Sequence, residues 1–151
     1  MTQAEFARRT VAMQDTLYRV SCTILPQLCD REDAVQSAIE KALRKRLLLR
    51  NDDALEAWLT RILINECRNI QRKRKRIVSL DALPETPVPA HDPTLSLAMQ
   101  RLPEKLRLPL ALHYIEDMPY AQISQILHLP QTTIVGRIHR AKQQLRKELE
   151  A

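Results

Sequence analysis

The chain has 151 residues, of which 44% are hydrophobic and 28% charged, and its formal net charge is +6. This composition excludes a wholly disordered protein, and the length allows one ordinary domain or two very small ones. No apolar segment has the length of a signal-peptide core or a membrane span, so we expect a cytoplasmic protein without membrane insertion.

Three helices are predicted over residues 1–76, in a composition with one glycine and many strong helix formers, so we expect an all-α fold. An apolar pattern of helical period runs from Phe6 to Leu25 and ends at Pro26. The second helix begins at Asp30, which is its predicted N-cap. This helix carries four apolar residues on one face: Val35, Ile39, Ala42 and Leu43.

The third predicted helix runs from about Asp53 into the basic run 72–76, after a loop at 47–52. Trp58 falls at helical spacing with the apolar residues of this helix, so we expect it in the core of a small bundle. Three arginines share one exposed stripe of the helix: Arg61, Arg68 and Arg72. Asn65 lies between them and can offer a donor and an acceptor to a base, although an amide that packs the helix is the alternative.

Residues 77–93 contain four prolines and no lysine or arginine, which predicts a flexible linker. The four helices predicted for a second domain, 94–151, begin near Leu95, Pro103, Pro119 and Gln131. A three-residue turn separates the last two, as in a helix-turn-helix. The final helix is predicted to carry an apolar stripe, and Arg137 and Arg140 are expected opposite it. The residues of this stripe are Ile134, Ile138, Ala141, Leu145 and Leu149. The residues expected to reach DNA are Gln131, Thr132, Thr133, Gly136, Arg137, His139, Arg140 and Lys142. An ordinary helical hairpin with a solvated basic face is the alternative.

Basic residues concentrate in 61–76 and in 131–151, on either side of an acidic stretch at 77–100. Two basic patches predict two contacts with a polyanion, because Lys and Arg neutralise phosphates whatever the base sequence. For the run 72–76 taken alone, a solvated helix end is an equal alternative.

The cysteines and histidines give no indication of a metal or catalytic site. Cys22, Cys29 and Cys67 lack the paired spacing of a zinc site and are expected as small buried side chains, with Cys29 as the exception. The four histidines are scattered, and the sequence has neither an H-E-x-x-H motif nor a phosphate-binding loop. We therefore expect neither a metal nor another cofactor, and a nucleic-acid enzyme such as a small nuclease is disfavoured.

Several segments, taken in order, resemble the extracytoplasmic-function (ECF) sigma factors of bacterial RNA polymerase. Residues 102–107, 120–123 and 133–141 (LPEKLR, YAQI and TIVGRIHRA) are similar to the −35-reading domain of that family. Residues 31–36 (REDAVQ) resemble its acidic polymerase-docking segment, and residues 57–65 (AWLTRILIN) resemble its W-L-x-x-I-x-x-N helix. Together these motifs cover nearly the whole chain.

The resemblance implies a function and three sets of site residues. It implies a non-enzymatic factor that binds core RNA polymerase and directs it to promoter DNA, with an anti-sigma factor as a further partner. The residues implied in polymerase binding are Glu32, Asp33, Gln36 and Glu40. The residues implied in contact with the −10 element are Leu49, Arg50, Asn51, Arg61, Asn65, Arg68 and Arg72. The residues implied in contact with the −35 element are the residues of the final helix that are expected to reach DNA, as given above.

The sequence departs from the family pattern at the front of its final helix. Members usually carry a glycine at the position of Thr132, a Lys or Arg at that of Val135 and a Ser at that of Gly136. We therefore expect weaker polar recognition of bases by the first turns of this helix. An internal glycine destabilises a helix by about 1 kcal/mol relative to alanine, which a close approach to the DNA backbone would explain. The loop before the third helix also lacks the aromatic residue often found in the family.

Two other functions fit parts of the sequence. A helix-turn-helix regulator that binds promoters without driving polymerase would keep the C-terminal domain but need not keep Asp33 and Gln36. A purely protein-binding helical adaptor would need neither basic patch, so salt-dependent DNA binding would distinguish it.

Overall fold

The computed structural model describes residues 1–77 and 93–150 and confirms the predicted all-α fold. The chain divides into two compact units, Met1–Thr86 and Pro87–Ala151. The predicted linker at 77–93 lies outside the described residues except at its two ends. Within the part of the chain that the structure describes, no helix combines the length and apolarity needed to cross a membrane.

The first unit has four α-helices among its described residues: α1 (Gln3–Ala12), α2 (Gln14–Cys22), α3 (Leu28–Arg44) and α4 (Leu55–Arg76). Two 3-10 turns, Arg46–Leu48 and Asp52–Ala54, connect α3 to α4. The apolar pattern up to Leu25 is therefore divided between two helices, which break at Met13 (φ −87°, ψ 0°). Neither proline nor glycine stands at the break. Because the Met13 side chain is buried, we attribute the break to tertiary packing, which overrides helix propensity.

The N-terminus of α3 corrects the predicted cap. The helix begins at Leu28 after Gln27, and Asp30 lies inside its first turn. Asp30 does not serve as the cap because Arg74 engages both of its carboxylate oxygens, with Nε to Oδ2 at 2.7 Å and Nη2 to Oδ1 at 3.0 Å. A charged side chain near a helix start can thus serve a tertiary ion pair instead of its own backbone.

Small side chains form the buried side of α3. Ala34, Ala38 and Ala42 follow one another at intervals of four residues, and each is 0% exposed. We call this row the alanine seam. Small residues let neighbouring helix axes approach closely. Among the described helices of the unit, α3 and α4 form the most extensive pair. Leu43, predicted on the same face, is 45% exposed, because the buried side follows the alanines and not the larger residue.

The core of the first unit runs along α4. Its buried apolar residues are Leu55, Leu59, Leu63, Ile64 and Cys67. Trp58 is half-buried and packs edge-on against buried Phe6, with ring centroids 6.2 Å apart, so its predicted packing role is confirmed. Arg9 binds Glu56 with two hydrogen bonds, at 2.8 and 3.0 Å, which tie α1 to α4.

The second unit has four helices among its described residues: α5 (Pro93–Arg101), α6 (Glu104–Tyr114), α7 (Tyr120–Leu127) and α8 (Gln131–Glu150). α8 packs against the other three, and its buried residues are Ile134, Ile138 and Ala141. The predicted apolar stripe of α8 is therefore confirmed as far as Ala141. Leu145 is half-buried and Leu149 is 45% exposed, because the last turns of the helix run past the core.

Burial separates the three cysteines. Cys22 and Cys67 are buried, whereas Cys29 is exposed. Burial also raises the pKa of the Cys22 thiol. We expect a maleimide to modify Cys29 rapidly in the native protein and the other two only after unfolding, because the reagent needs an accessible thiolate. Peptide mass spectrometry after brief labelling, with and without denaturant, measures this difference. Cys29→Ser should remove the native labelling, and equal native labelling of all three cysteines would contradict the packing.

Candidate nucleic-acid interface

One side of α4 carries the helical residues predicted to meet the −10 element. Asn65, Arg68 and Arg72 are exposed, and Arg61 is half-buried. Their spacing places them on one stripe that extends about 17 Å along the helix. The exposure of Asn65 argues against the alternative in which its amide packs the helix. The α4 stripe therefore presents guanidinium groups on both sides of one amide.

The basic run at the end of α4 remains helical to Arg76, and one of its members belongs to the fold. Arg74 is held by Asp30 of α3, so the run does not act as five equivalent charges. Lys73, Lys75 and Arg76 are exposed at the C-terminus of the helix, where cations interact favourably with the helix dipole. Local sequence could not reveal the Arg74 pair, because its partner lies 44 residues away in the chain.

The loop residues predicted to hold a base lie before the other end of α4. Leu49 is half-buried, and Arg50 and Asn51 are exposed. The Asn51 side chain accepts a hydrogen bond from the backbone N–H of Asp53 at 3.0 Å, so Asn51 caps a 3-10 turn. Arg72 lies about 25 Å along the helix axis from the first residue of α4. The structure therefore does not bring the loop and Arg72 together.

Sequence reasoning missed an exposed apolar pair beside this loop. Leu47 and Leu48 are 86% and 68% exposed, and they lie in the 3-10 turn that follows α3. Three successive leucines were the available signal. Because a segment predicted only as a loop has no defined buried face, the pattern could not show which of the three leucines points outward.

The residues predicted to bind polymerase share the exposed side of α3. Glu32, Asp33, Gln36 and Glu40 are all exposed, and the Gln36 amide donates to Glu40 Oε1 at 3.3 Å. We call these four residues the docking face. The alanine seam closes the core on the buried side of the same helix, so the docking face is not needed to hold the unit together.

An open groove of about 810 Å³ lies between the exposed sides of α3 and α4. Its α3 wall is mainly acidic and its α4 wall mainly basic. The charged residues that give this contrast are Asp33 and Glu40 on α3, and Arg72, Lys73 and Arg76 on α4, and the neutral Gln36 also lines the α3 wall. An ion pair between Lys41 and Glu66 joins the two helices at the groove. The docking face and the basic end of α4 therefore lie side by side.

A tight turn joins α7 to α8, as the spacing predicts. His128 ends α7 in the left-handed conformation (φ 55°, ψ 45°), which glycine more often supplies at helix ends. The Ser124 hydroxyl donates to the Leu129 carbonyl across the turn. The described second unit thus contains the helix, turn and second helix of the predicted helix-turn-helix.

The residues of α8 that are predicted to reach DNA differ in exposure. Five are exposed: Gln131, Thr132, His139, Arg140 and Lys142. Three are half-buried: Thr133, Gly136 and Arg137. Arg137 therefore lies on the flank of the buried stripe, which corrects the prediction that it stands opposite that stripe as Arg140 does. The Lys142 ammonium lies 4.5 Å from the centre of the Tyr114 ring, so this side chain rests against α6.

Comparison with known proteins gives matches to both units. The family model described as Sigma-70 region 2 matches residues 11–77, and that described as Sigma-70, region 4 matches residues 94–145. The ECF RNA polymerase sigma factor SigE of Mycolicibacterium smegmatis is 32% identical over 150 residues, which cover 89% of this chain and 58% of that protein. The chain thus spans less than two thirds of the length of SigE.

A second relative and one solved structure are matched over larger shares of their own chains. The RNA polymerase sigma-H factor of Pseudomonas aeruginosa is 30% identical over 142 residues, which cover 80% of this chain and 74% of that protein. The sigma factor RpoE, solved in complex with the anti-sigma factor NepR from Bartonella quintana, has a TM-score of 0.84. That match covers 97% of this chain and 98% of the solved chain at 23% identity, and it shows a shared fold.

Proposed function

We propose that this chain, which belongs to the ECF family of RNA polymerase sigma factors, binds core RNA polymerase and directs it to specific promoters. One observation carries the proposal: both matched regions occur in one chain, and each has an exposed polar surface. A chain with the second region alone would fit a DNA-binding regulator. We assign 1–76 to polymerase docking and promoter melting, 77–93 to a linker and 94–151 to −35 recognition. We also propose a cytoplasmic location, since polymerase acts there.

Polymerase binding is assigned to the docking face of α3. Its four side chains are exposed and leave the core closed by the alanine seam. Carboxylates on a rigid helix can steer a basic partner and fix its register, because electrostatic complementarity acts on both encounter and orientation.

Contact with the melted −10 strand is assigned to the α4 stripe. A factor that opens a duplex must offset the few kcal/mol lost when a base leaves the stack. Arg68 and Arg72 can attract the strand's phosphates, while Asn65 offers a donor and an acceptor to one base edge. Leu49, Arg50 and Asn51 remain the proposed base-capturing loop.

Contact with the −35 element is assigned to the exposed front of α8. Arg140 is exposed and has the guanidinium fork that pairs with guanine, so we propose it for base readout. Arg137, on the flank of the buried stripe, is proposed to contact the same groove from its side. Lys142 is proposed as a phosphate contact oriented by Tyr114.

Transcription from genomic promoter templates tests the proposed function. Core polymerase with the purified chain should start transcripts at defined promoters, and core polymerase alone should not. Failure to obtain a promoter-dependent transcript from any genomic template would overturn the proposal. Selective promoter binding without transcription would instead identify a DNA-binding regulator.

Neutralising part of the basic run should weaken binding to all promoters alike. In the double variant Lys73→Ala, Lys75→Ala, the slope of log affinity against log salt should fall in magnitude by about 2, close to one per lost phosphate contact. Holoenzyme binding to several promoters, measured at a series of salt concentrations, gives the slope. Arg140→Ala should instead flatten the preference for −35 sequences, because a bidentate arginine discriminates bases by about 1 to 3 kcal/mol.

The control for the salt measurement is the double variant Arg8→Ala, Lys105→Ala. Both residues are exposed, and neither is assigned to DNA. This variant removes the same charge and should leave the slope unchanged. The assignment of phosphate attraction to the basic run and of base readout to Arg140 would be wrong under the opposite result. In that result, the variant of Lys73 and Lys75 alters sequence preference, and Arg140→Ala weakens binding to every promoter equally.

An anti-sigma factor is a further proposed partner. The Bartonella quintana sigma factor that shares this fold was solved with the anti-sigma factor NepR. Co-purification of this chain from its own cells should recover a protein that inhibits the transcription assay. Recovery of polymerase subunits alone, in stressed and unstressed cells, would argue against such a partner.

A further inference from the structure

One exposed side of α8 includes an apolar residue. Thr132, Val135, Gly136 and His139 follow the spacing i, i+3, i+4 and i+7, so they share one face of the helix. The buried residues Ile134, Ile138 and Ala141 lie on the other side. Val135 is 45% exposed. This exposed side of the proposed recognition helix therefore includes a branched apolar side chain beside its polar residues.

Exposure of one valine is ordinary on a protein surface and assigns no role by itself. The neighbouring glycine adds the second observation. Gly136 is the single glycine of the chain and lies inside a helix, where glycine destabilises by about 1 kcal/mol relative to alanine. Its φ is not positive, and an added Cβ would meet no heavy atom of the described residues within 4 Å. Neither backbone conformation nor internal packing requires glycine there.

The missing side chain at Gly136 instead bares the helix backbone toward the outside. A glycine at such a position lets another molecule approach the helix closely. The same approach would bring the adjacent Val135 side chain into contact with that molecule. A ligand for this face must therefore fit closely against a helix and offer an apolar group beside polar ones.

We propose that Val135 contacts the C5-methyl group of a thymine in the −35 element, with the backbone at Gly136 lying close to the DNA. This inference rests on the proposed function, since it requires α8 in the major groove. The thymine methyl is the apolar group on base edges in that groove, and aliphatic side chains read it by contact. Thr132 and His139, exposed on either side of Val135, add polar groups to the same face.

This assignment makes Val135 a specificity-determining residue. A Lys or Arg side chain on a recognition helix would favour guanine through hydrogen bonds. Valine cannot donate a hydrogen bond to guanine. We therefore expect a thymine in the −35 element of this chain's promoters at the base pair that faces Val135.

Replacement of thymine by uracil tests the contact, because uracil lacks only the C5-methyl group. Wild-type holoenzyme first selects its preferred duplex from a library with a randomised −35 region. Each thymine of that region, on both strands, is then replaced singly by uracil and binding is measured by fluorescence anisotropy. We expect one replacement to weaken wild-type binding about fourfold, as one buried methyl group predicts, and the others to change it little.

The Val135→Ala variant should bind the thymine and uracil duplexes almost equally. Val135→Thr keeps one methyl group and nearly the same volume, so it should retain part of the difference. Leu149→Ala is the matched control, since Leu149 lies on the same helix and is also 45% exposed. That variant should keep the full difference. Thermal unfolding of each variant verifies that the fold is intact.

Two results would overturn the inference alone. In both, the holoenzyme still selects promoter sequences from the library. In the first, no replacement of a −35 thymine by uracil weakens binding, and in the second, the replacement weakens binding of Val135→Ala as much as that of the wild type. If the holoenzyme selected no sequence from the library, the proposed function itself would fail and this contact would fail with it.

Discussion

Reversing the charge of Asp33 and truncating Gln36 in one variant, D33K with Q36A, is expected to weaken binding to core polymerase by about thirtyfold or more. The estimate follows from the loss of 2 kcal/mol or more when one partner of an interfacial charge pair is removed. Both residues are exposed and lie away from the alanine seam, so the free energy of unfolding should hardly change. Titration of labelled variant with core polymerase measures the affinity.

The control for this variant is D15K with Q14A. Asp15 and Gln14 are the same residue types, are exposed on α2, and undergo the same change of charge. This control should bind polymerase as the wild type does. Undiminished co-purification of the D33K, Q36A variant with core polymerase would show that polymerase binds another surface of the chain.

Replacing Arg31 by alanine should lower the free energy of unfolding of the first unit by about 4 kcal/mol, through lost hydrogen bonds and a cavity. Arg31 is 1% exposed and is the largest fully buried side chain among the described residues. Its Nε donates to the Leu25 carbonyl at 2.8 Å, and its Nη2 donates to the Pro26 carbonyl at 3.4 Å. These bonds hold the connection between α2 and α3, so their loss should loosen the start of the helix that carries the docking face.

Urea unfolding followed by tryptophan fluorescence measures this effect, because Trp58 is the one tryptophan of the chain and belongs to the first unit. Glu32→Ala changes the adjacent, exposed residue and should alter stability by no more than about 0.5 kcal/mol. Similar unfolding midpoints for Arg31→Ala and Glu32→Ala would contradict the structural role of Arg31.

The sequence predicted those parts of the fold that depend on local periodicity. The repeat of Ile134, Ile138 and Ala141 identified the buried side of α8, because helical geometry places residues three and four apart on one face. The partners of Arg74 and Arg31 could not be predicted in this way. Both arginines make contacts set by how helices and connections pack, and the residue types alone gave Asp30 the appearance of a helix cap.

The same distinction between local periodicity and tertiary packing applies to the candidate site. The exposure of Asp33 and Gln36 agrees with the sequence pattern, because neither belongs to the apolar residues predicted on one face of this helix. The half-burial of Arg137 was not, since the width of the buried stripe depends on how deeply α8 sits among its neighbours. Periodicity gives the direction of a side chain around a helix, while only packing decides how much of that side chain a neighbouring helix covers.

The alanine seam has a consequence for protein engineering. Ala34, Ala38 and Ala42 close the core on the buried side of α3. Asp30, Arg31 and Lys41 add polar contacts that fix this helix, whereas the docking face is exposed. The four residues of the docking face can therefore be exchanged for those of another helix without redesign of the core. A larger side chain at Ala38 would instead displace the whole helix and every group on it. Orthogonal pairs of factor and polymerase are thus best designed by exchanging the docking face while the three alanines and the side chains of Asp30, Arg31 and Lys41 are kept.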